Sequence, residues 1–183
     1  MNESRLRFTL TRKVQAPKRA SNNESGIDFF IPEDLTFDDI KKANANVEHT
    51  AKFFTELDND GKFVSKITIY PHSRIIIPSG VKALIEPNNS ALIAANKSGV
   101  STKKGLIFGA QVVDSTYIGE IHISLINTTD YHKTIRAGDK SIQFIHTPIF
   151  LTEPELISLE SYNDISLDWS TRGSNWQGST DNK

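Results

Sequence analysis

Apolar side chains at every second position, in short runs broken by turn-forming residues, restrict this fold more than any other feature. In "RLRFTLTRKV" (5–14), Leu6, Phe8 and Leu10 alternate with Arg and Thr. In "VKALIE" (81–86), Val81, Ala83 and Ile85 share one side, as Ile121, Ile123 and Leu125 do in "EIHISLIN" (120–127). "SIQFIHTPIF" (141–150) reads as a further strand, with Pro148 near its end. A period of two sends alternate side chains to opposite faces, so each run has one buried face. Pro78-Ser79-Gly80, Pro87-Asn88-Asn89-Ser90 and Ala137-Gly138-Asp139 carry turn chemistry between the runs. Many short strands at close spacing predict a mainly β sandwich or barrel.

One segment departs from that period. In "DLTFDDIKKANANVE" (34–48) the apolar residues Phe37, Ile40, Ala43 and Val47 have helical spacing. Thr36 can cap the start, with Asp39 three residues on, where Glu or Gln is usual, as an imperfect capping box, and Leu35 with Ile40 as a hydrophobic staple. "KFFTELDNDGKFVSKITIY" then reads as a hairpin turning at Asp58–Gly61. "ELDNDG" (56–61) has a calcium-loop flavour, but the twelfth position falls on Ile67, where a bidentate Glu is needed. The chain from Asn163 onward is polar and carries Trp169 and Trp176.

With 183 residues the chain can build one domain with a real core. Lys plus Arg number 21 against 22 Asp plus Glu, so there is no basic excess for gripping a DNA backbone. A few local cations can still hold a small anion. The absence of cysteine excludes disulfides and thiolate metal sites and fits a reducing compartment. No apolar run approaches the roughly 20 residues that span a bilayer, and "MNESRLRFTL" has no signal-peptide stretch. The expectation is a soluble, cytoplasmic protein with neither nucleic acid nor membrane as partner.

Four constellations carry chemistry. In "VVDSTYIGE" (112–120), Asp114 ends an apolar strand and Tyr117 follows three residues later. This is either an Asp opening a tight turn or a hairpin slot in which a carboxylate meets a ligand hydroxyl or water. "NKSGVSTKKG" (96–105) sets Lys97, Ser98 and Gly99 beside further hydroxyls and lysines: an exposed basic turn, or a phosphate loop. It lacks the Walker A spacing. "STRGSNWQGST" (170–180) is a linker-like tail or a segment that wraps a polyphosphate and stacks a base. In "SGIDFFIP" (25–32), Asp28 lies among apolar residues and needs a partner: backbone donors, Arg or Lys, or a hydrated metal ion. The five histidines show no metal-ligand spacing. His122 and Ser124 share a strand face, but no nucleophile-elbow glycines flank that serine.

Taken in order, these stretches resemble the five motifs of the homotrimeric dUTPase family. "SGIDFFIP" is similar to Ala-Gly-x-Asp-Leu, and "NKSGVS" to Arg-Ser-Gly-Leu-Ala. "VVDSTYIGE" resembles Gly-Val-Ile-Asp-x-x-Tyr-x-Gly-Glu. "GDKSIQF" (138–144) resembles Gly-x-Arg-x-Ala-Gln, and "RGSNWQGST" (172–180) resembles Arg-Gly-Ser-Gly-Gly-Phe-Gly-Ser-Thr. The resemblance implies a jelly-roll-like β-barrel over residues 1–162, carrying a helix-and-hairpin insertion at 33–66. It further implies a homotrimer in which each active site draws on more than one subunit, with a C-terminal arm (163–183) that closes over it. The implied reaction is Mg²⁺-assisted, in-line attack of water on the α-phosphorus of dUTP, giving dUMP and pyrophosphate. Asp114 would contact the 3′-hydroxyl and position the water, and Tyr117 would pack on the deoxyribose. The backbone around Gln111 and Val113 would receive uracil. Lys97, Ser98, Gly99 and Gln143 would hold phosphates. Arg172, Trp176, Gly178, Ser179 and Thr180 would close the lid. Asp28 would act behind them, through water or by fixing a loop, with Mg²⁺ held mainly by the triphosphate.

The chain departs from the family pattern with Lys97 and Lys140 where Arg is usual, and Gln111 where Gly is usual. It also has Asn175-Trp176-Gln177 for Gly-Gly-Phe, so that Trp176 would stack in place of the phenylalanine. The other readings are a dUTP-binding regulatory protein acting on a protein partner through 33–66, and a dCTP deaminase of the same fold. The Ser-Ser-x-x-Arg stretch of the deaminases does not occur here.

Overall fold

The alternating runs become strands, and the strands assemble into three antiparallel sheets. The computed structural model describes residues 4–57 and 59–169, in two units, Met1–Phe150 and Leu151–Lys183. One sheet has the order β1 (Arg5–Leu10), β5 (Arg74–Glu86), β9 (Glu120–Asn127), β7 (Leu106–Phe108). A second has the order β2 (Ile27–Phe30), β11 (Lys140–Pro148), β6 (Ser90–Ala95), β8 (Val112–Asp114). The third is β10 (Lys133–Arg136), β4 (Phe63–Ile69), β3 (Ala51–Leu57). The mainly β, jelly-roll-like fold is as expected, but the described sheets are not closed into a barrel. Edge strands such as β7 and β8 are three residues long, too short to carry pairing from one sheet into the next.

The expected faces of β5 and β9 point inward, whereas on β1 Leu6 and Phe8 are half-buried and Leu10 is exposed. Val81, Ala83 and Ile85 of β5 and Ile121, Ile123 and Leu125 of β9 are all buried in one core. Phe29 joins two sheets: its ring meets Phe8 of β1 edge-on at 5.9 Å and Phe144 of β11 at 4.7 Å. No helix among the described residues is long and apolar enough to cross a membrane.

Pro78-Ser79-Gly80, expected as a turn, lies inside β5. Pro78 faces His122 and Lys82 faces Glu120, so β5 advances four residues while β9 advances two. A bulge absorbs a proline that a regular central strand would reject. Gly80 sits in the left-handed region at φ 73°, where a side chain would also press on Arg12 and Val14.

The predicted helix is present but shorter, as α1 (Phe37–Ala43). Its capping box forms: the Asp39 amide donates to Thr36 Oγ1 at 3.2 Å, and the Thr36 amide donates to Asp39 Oδ2 at 2.9 Å. The helix stops because Asn44 turns its amide onto β5. Asn44 Nδ2 donates to the Ile76 carbonyl at 2.7 Å, and Oδ1 accepts from the Ile76 amide at 2.8 Å. Val47 is buried from a 3-10 turn, Val47–His49, instead of from the helix. Thr36→Ala is expected to cost about 1 kcal/mol, the usual loss for a missing cap, read as a lower midpoint in denaturant unfolding. The β3–β4 hairpin pairs as expected, from Ala51 opposite Ile69 to Leu57 opposite Phe63.

Two further segments differ from the sequence reading. The run expected as a basic turn or phosphate loop forms a short helix, α2 (Ser98–Lys104), anchored by buried Val100 and ended by Gly105 at φ 65°. The second unit contains α3 (Leu159–Trp169), which overlaps the stretch read as a polar tail. Ser158 caps it, accepting from the Ser161 amide at 3.1 Å. Tyr162, Ile165 and Leu167 are exposed on it.

Candidate functional site

β8 delivers Asp114 to its tip because Val113 is half-buried while Val112 and Asp114 face out. The chain then turns tightly, with the Tyr117 amide donating to the Asp114 carbonyl at 3.0 Å. Ser115 ties the turn down by donating to the Asn88 carbonyl at 2.7 Å. Asp114 opens a turn, as one sequence reading expected, and it also lines a hollow. That hollow, of about 210 Å³, is lined by Gln111, Val113, Asp114, Tyr117, His122 and Phe144, among others.

The hollow is not a simple hairpin. β8 pairs with β6, and β9 pairs with β5 and β7, so the link 115–119 crosses between two sheets. Among the described residues β8 is an edge strand, so one side of its backbone pairs with no other strand. The Tyr117 hydroxyl donates to the Glu120 carbonyl at 2.8 Å. The ring lies so close over Gly119 that a Cβ there would be 2.5 Å from the hydroxyl oxygen and 2.6 Å from Cζ. The Tyr-x-Gly spacing thus has a steric cause. His122 Nδ1 contacts the same carbonyl at 2.9 Å. The Asp114 carboxylate is exposed and has no hydrogen-bond or ion-pair partner among the described residues.

A second cluster surrounds Asp28, which is 2% exposed. Lys97 donates to its Oδ1 at 2.9 Å, and Lys140 Nζ lies 2.7 Å from its Oδ2. The Lys140 contact is a poorly aligned ion pair, and among the described residues Oδ2 has no well-formed hydrogen bond. Burial pushes the Asp28 carboxyl up, but Lys140 and Lys97 together outweigh it and hold it below the usual carboxylate range. Of the partners the sequence left open, the structure uses two lysines. Gln143 sits opposite Asp28 on β11 and donates to the Asn96 carbonyl at 2.9 Å. Ser98 and Gly99 open α2 beside Lys97 and are exposed.

The two clusters do not meet within one chain. Asp114 pairs with Ala91 on β6, while Asp28 lies across Gln143 from Ala95, three strands away. Strand rise and spacing put them about 20 Å apart. Arg172, Trp176, Gly178, Ser179 and Thr180 lie outside the described residues. Sequence reasoning missed the pocket-lining Phe144 and the carbonyl of Glu120 that anchors Tyr117, because Phe144 looks like an ordinary core aromatic and a main-chain carbonyl leaves no mark in the sequence.

Comparison with known proteins fixes the fold class first. A solved Staphylococcus bacteriophage 80alpha dUTPase variant with dUpNHpp is 20% identical with a TM-score of 0.65, covering 98% of this chain and 98% of that one. Native EIAV dUTPase is 20% identical with a TM-score of 0.56, covering 85% and 98%. At such identities the likeness is one of fold. The family model described as dUTPase matches residues 62–180, and the chain belongs to that family. Deoxyuridine 5'-triphosphate nucleotidohydrolase of Actinobacillus pleuropneumoniae serotype 5b (strain L20) is 32% identical over 87 residues, 46% of this chain and 58% of that protein. The chain therefore spans little more than half the length of this relative. The Mycobacterium sp. (strain JLS) protein of the same name is 25% identical over 183 residues, covering 98% and 96%.

Proposed function

We propose that this protein hydrolyses dUTP to dUMP and pyrophosphate. The observation that carries the reading is Asp114: an exposed carboxylate at the tip of an edge strand, sharing a hollow with Tyr117, in a chain of the dUTPase family. Uracil lies along the free edge of β8, against backbone groups near Gln111 and Val113. Tyr117 packs on the deoxyribose, and its fixed ring leaves no space for a 2′-hydroxyl. Asp114 accepts from the 3′-hydroxyl and orients the water that attacks the α-phosphorus. This is positioning and electrostatic work, the usual protein contribution to phosphoryl transfer.

The phosphates need cations that Asp114's own chain holds about 20 Å away. Sugar and phosphates are contiguous in one nucleotide, so Lys97, Ser98, Gly99 and Gln143 come from a neighbouring copy. Val112 and Ile118, 57% and 73% exposed beside the hollow, suit burial between copies. A homotrimer satisfies both needs. Arg172, Trp176, Gly178, Ser179 and Thr180 then close over the triphosphate. Asp28 keeps Lys97 and Lys140 aimed.

Among the described residues no group of three or more His, Asp or Glu side chains is arranged to hold a metal ion, and Asp28 is already engaged by lysines. The donor set fits an ion carried by the nucleotide. Mg²⁺, when bound, would be held chiefly by triphosphate oxygens and would offset their charge. The test is pyrophosphate release from dUTP, dCTP and dTTP, with and without Mg²⁺. Release from dUTP alone is the expected result; equal release from dCTP, or none from dUTP, would overturn the reading.

A further inference from the structure

The Tyr117 turn is tied to a distant segment by a chain of largely buried charges. Both Tyr117 and His122 rest on the main-chain carbonyl of Glu120. The side chain of Glu120 is itself held: its Oε1 accepts from the Gly80 amide at 2.6 Å and from Arg12 Nε at 3.1 Å. Arg12 Nη2 then donates to Asp39 Oδ1 at 3.0 Å. Asp39 is the capping-box residue of α1, and its Oδ2 accepts from the amide and hydroxyl of Thr36. The three charged side chains are only about one-fifth exposed (Arg12 21%, Asp39 19%, Glu120 20%).

Two features give this chain a direction. The bulge at Gly80 is what lets Arg12 cross β5, since a side chain there would strike the Arg12 Cβ. Arg12 is also bound back-to-back, with the amide of its neighbour Thr11 donating to the Gly80 carbonyl at 2.8 Å. A planar guanidinium with donors on two sides can hold two carboxylates at fixed angles, which a lysine cannot. The α1 end is rigid as well, because Asn44 fastens the other end of that helix to β5.

We propose that Arg12 is a positioning residue that couples α1 to the Tyr117 turn, so that residues 33–66 help set the shape of the sugar pocket. Arg12 and Asp39 touch no nucleotide. They act by fixing Glu120, whose carbonyl sets the tilt of the Tyr117 ring. The segment is then part of the specificity machinery and not a surface excursion. The selectivity half of this inference rests on reading the hollow as a deoxyribose site; the coupling half does not.

The test uses the full chain labelled with fluorotyrosine, comparing wild type, Arg12→Gln, Asp39→Asn and Arg12→Lys without nucleotide. The Tyr117 resonance is assigned by its loss in Tyr117→Phe. It is expected to move in Arg12→Gln and Asp39→Asn, with Tyr131 and Tyr162 unmoved as internal references, and to be restored incompletely in Arg12→Lys. The preference for dUTP over UTP, as a ratio of kcat/KM, is expected to fall roughly tenfold in Arg12→Gln, less than the roughly hundredfold that a full 1 Å misplacement can cost. The same substitution in a Tyr117→Phe background is expected to add nothing to that loss. A lower Tm with an unmoved Tyr117 resonance and an unchanged preference would overturn the proposal, leaving Arg12 a stabilising residue only. If wild type fails to turn over dUTP, the functional reading falls, while the fluorine spectrum still decides the coupling.

Discussion

Asp114→Asn is expected to lower kcat for dUTP by about two to three orders of magnitude, the range for removing one preorganised electrostatic group. Stability and fold are expected to be unchanged. The two halves of this expectation have separate grounds. The carboxylate is exposed and unpartnered among the described residues, so the substitution deletes no internal contact. The turn itself is held by the Asp114 carbonyl, which Asn retains, and by Ser115 on Asn88. An amide keeps the size of the group and one acceptor oxygen, so it can still meet a sugar hydroxyl. It loses the negative charge that orients a water toward phosphorus. KM should therefore change little while kcat collapses, the pattern of an interaction used mainly in the transition state. Steady-state pyrophosphate release, together with a thermal melt of the variant, checks both halves. A kcat within threefold of wild type would remove Asp114 from the mechanism.

Local chemistry in this chain was legible where the responsible groups are close in sequence. The α1 start follows from Thr36 and Asp39, three residues apart, and both capping hydrogen bonds are present. The inward faces of β5 and β9 follow from strict alternation. What depended on distant partners was not legible. The helix ends at Asn44 because that amide pairs with Ile76, 32 residues away. Pro78-Ser79-Gly80 has the composition of a turn, and only its pairing with β9 makes it a bulge. The sequence showed that Asp28 needed a partner, but that Lys140 and Lys97 fill the role depends on where β11 and the start of α2 bring them. The Asp114 turn was read as a hairpin because β8 and β9 are adjacent in sequence, although their ladders belong to different sheets.

Replacing that buried carboxylate supplies the second large effect. Asp28→Asn is expected to destabilise the protein by about 2–3 kcal/mol at neutral pH. Breaking a buried ion pair by removing one member typically costs about 3–5 kcal/mol. The smaller figure applies because Lys97 and Lys140 remain 27% and 38% exposed, so water screens part of the lost attraction. Asn can still accept from Lys97, but it leaves two ammonium groups facing a neutral site. The pH dependence gives the sharper test. Asp28 titrates below the ordinary aspartate value of about 3.8 in the folded state. The folded protein thus binds fewer protons than the unfolded chain in that region, and stability rises with pH there. The contribution is fully present above about 3.8 and disappears as pH falls through the lower folded value. Asp39 and Glu56 are also held low, by the Thr36 hydrogen bonds and Arg12 against burial in one case and by Lys66 and Arg136 in the other. They act equally in both proteins, so the difference between wild type and variant isolates Asp28. Urea unfolding at fixed protomer concentration should show a gap that is constant from neutral pH to about pH 5 and narrows below about pH 4. A gap that stayed constant to pH 2 would mean that Asp28 stabilises the fold by packing alone, without its charge.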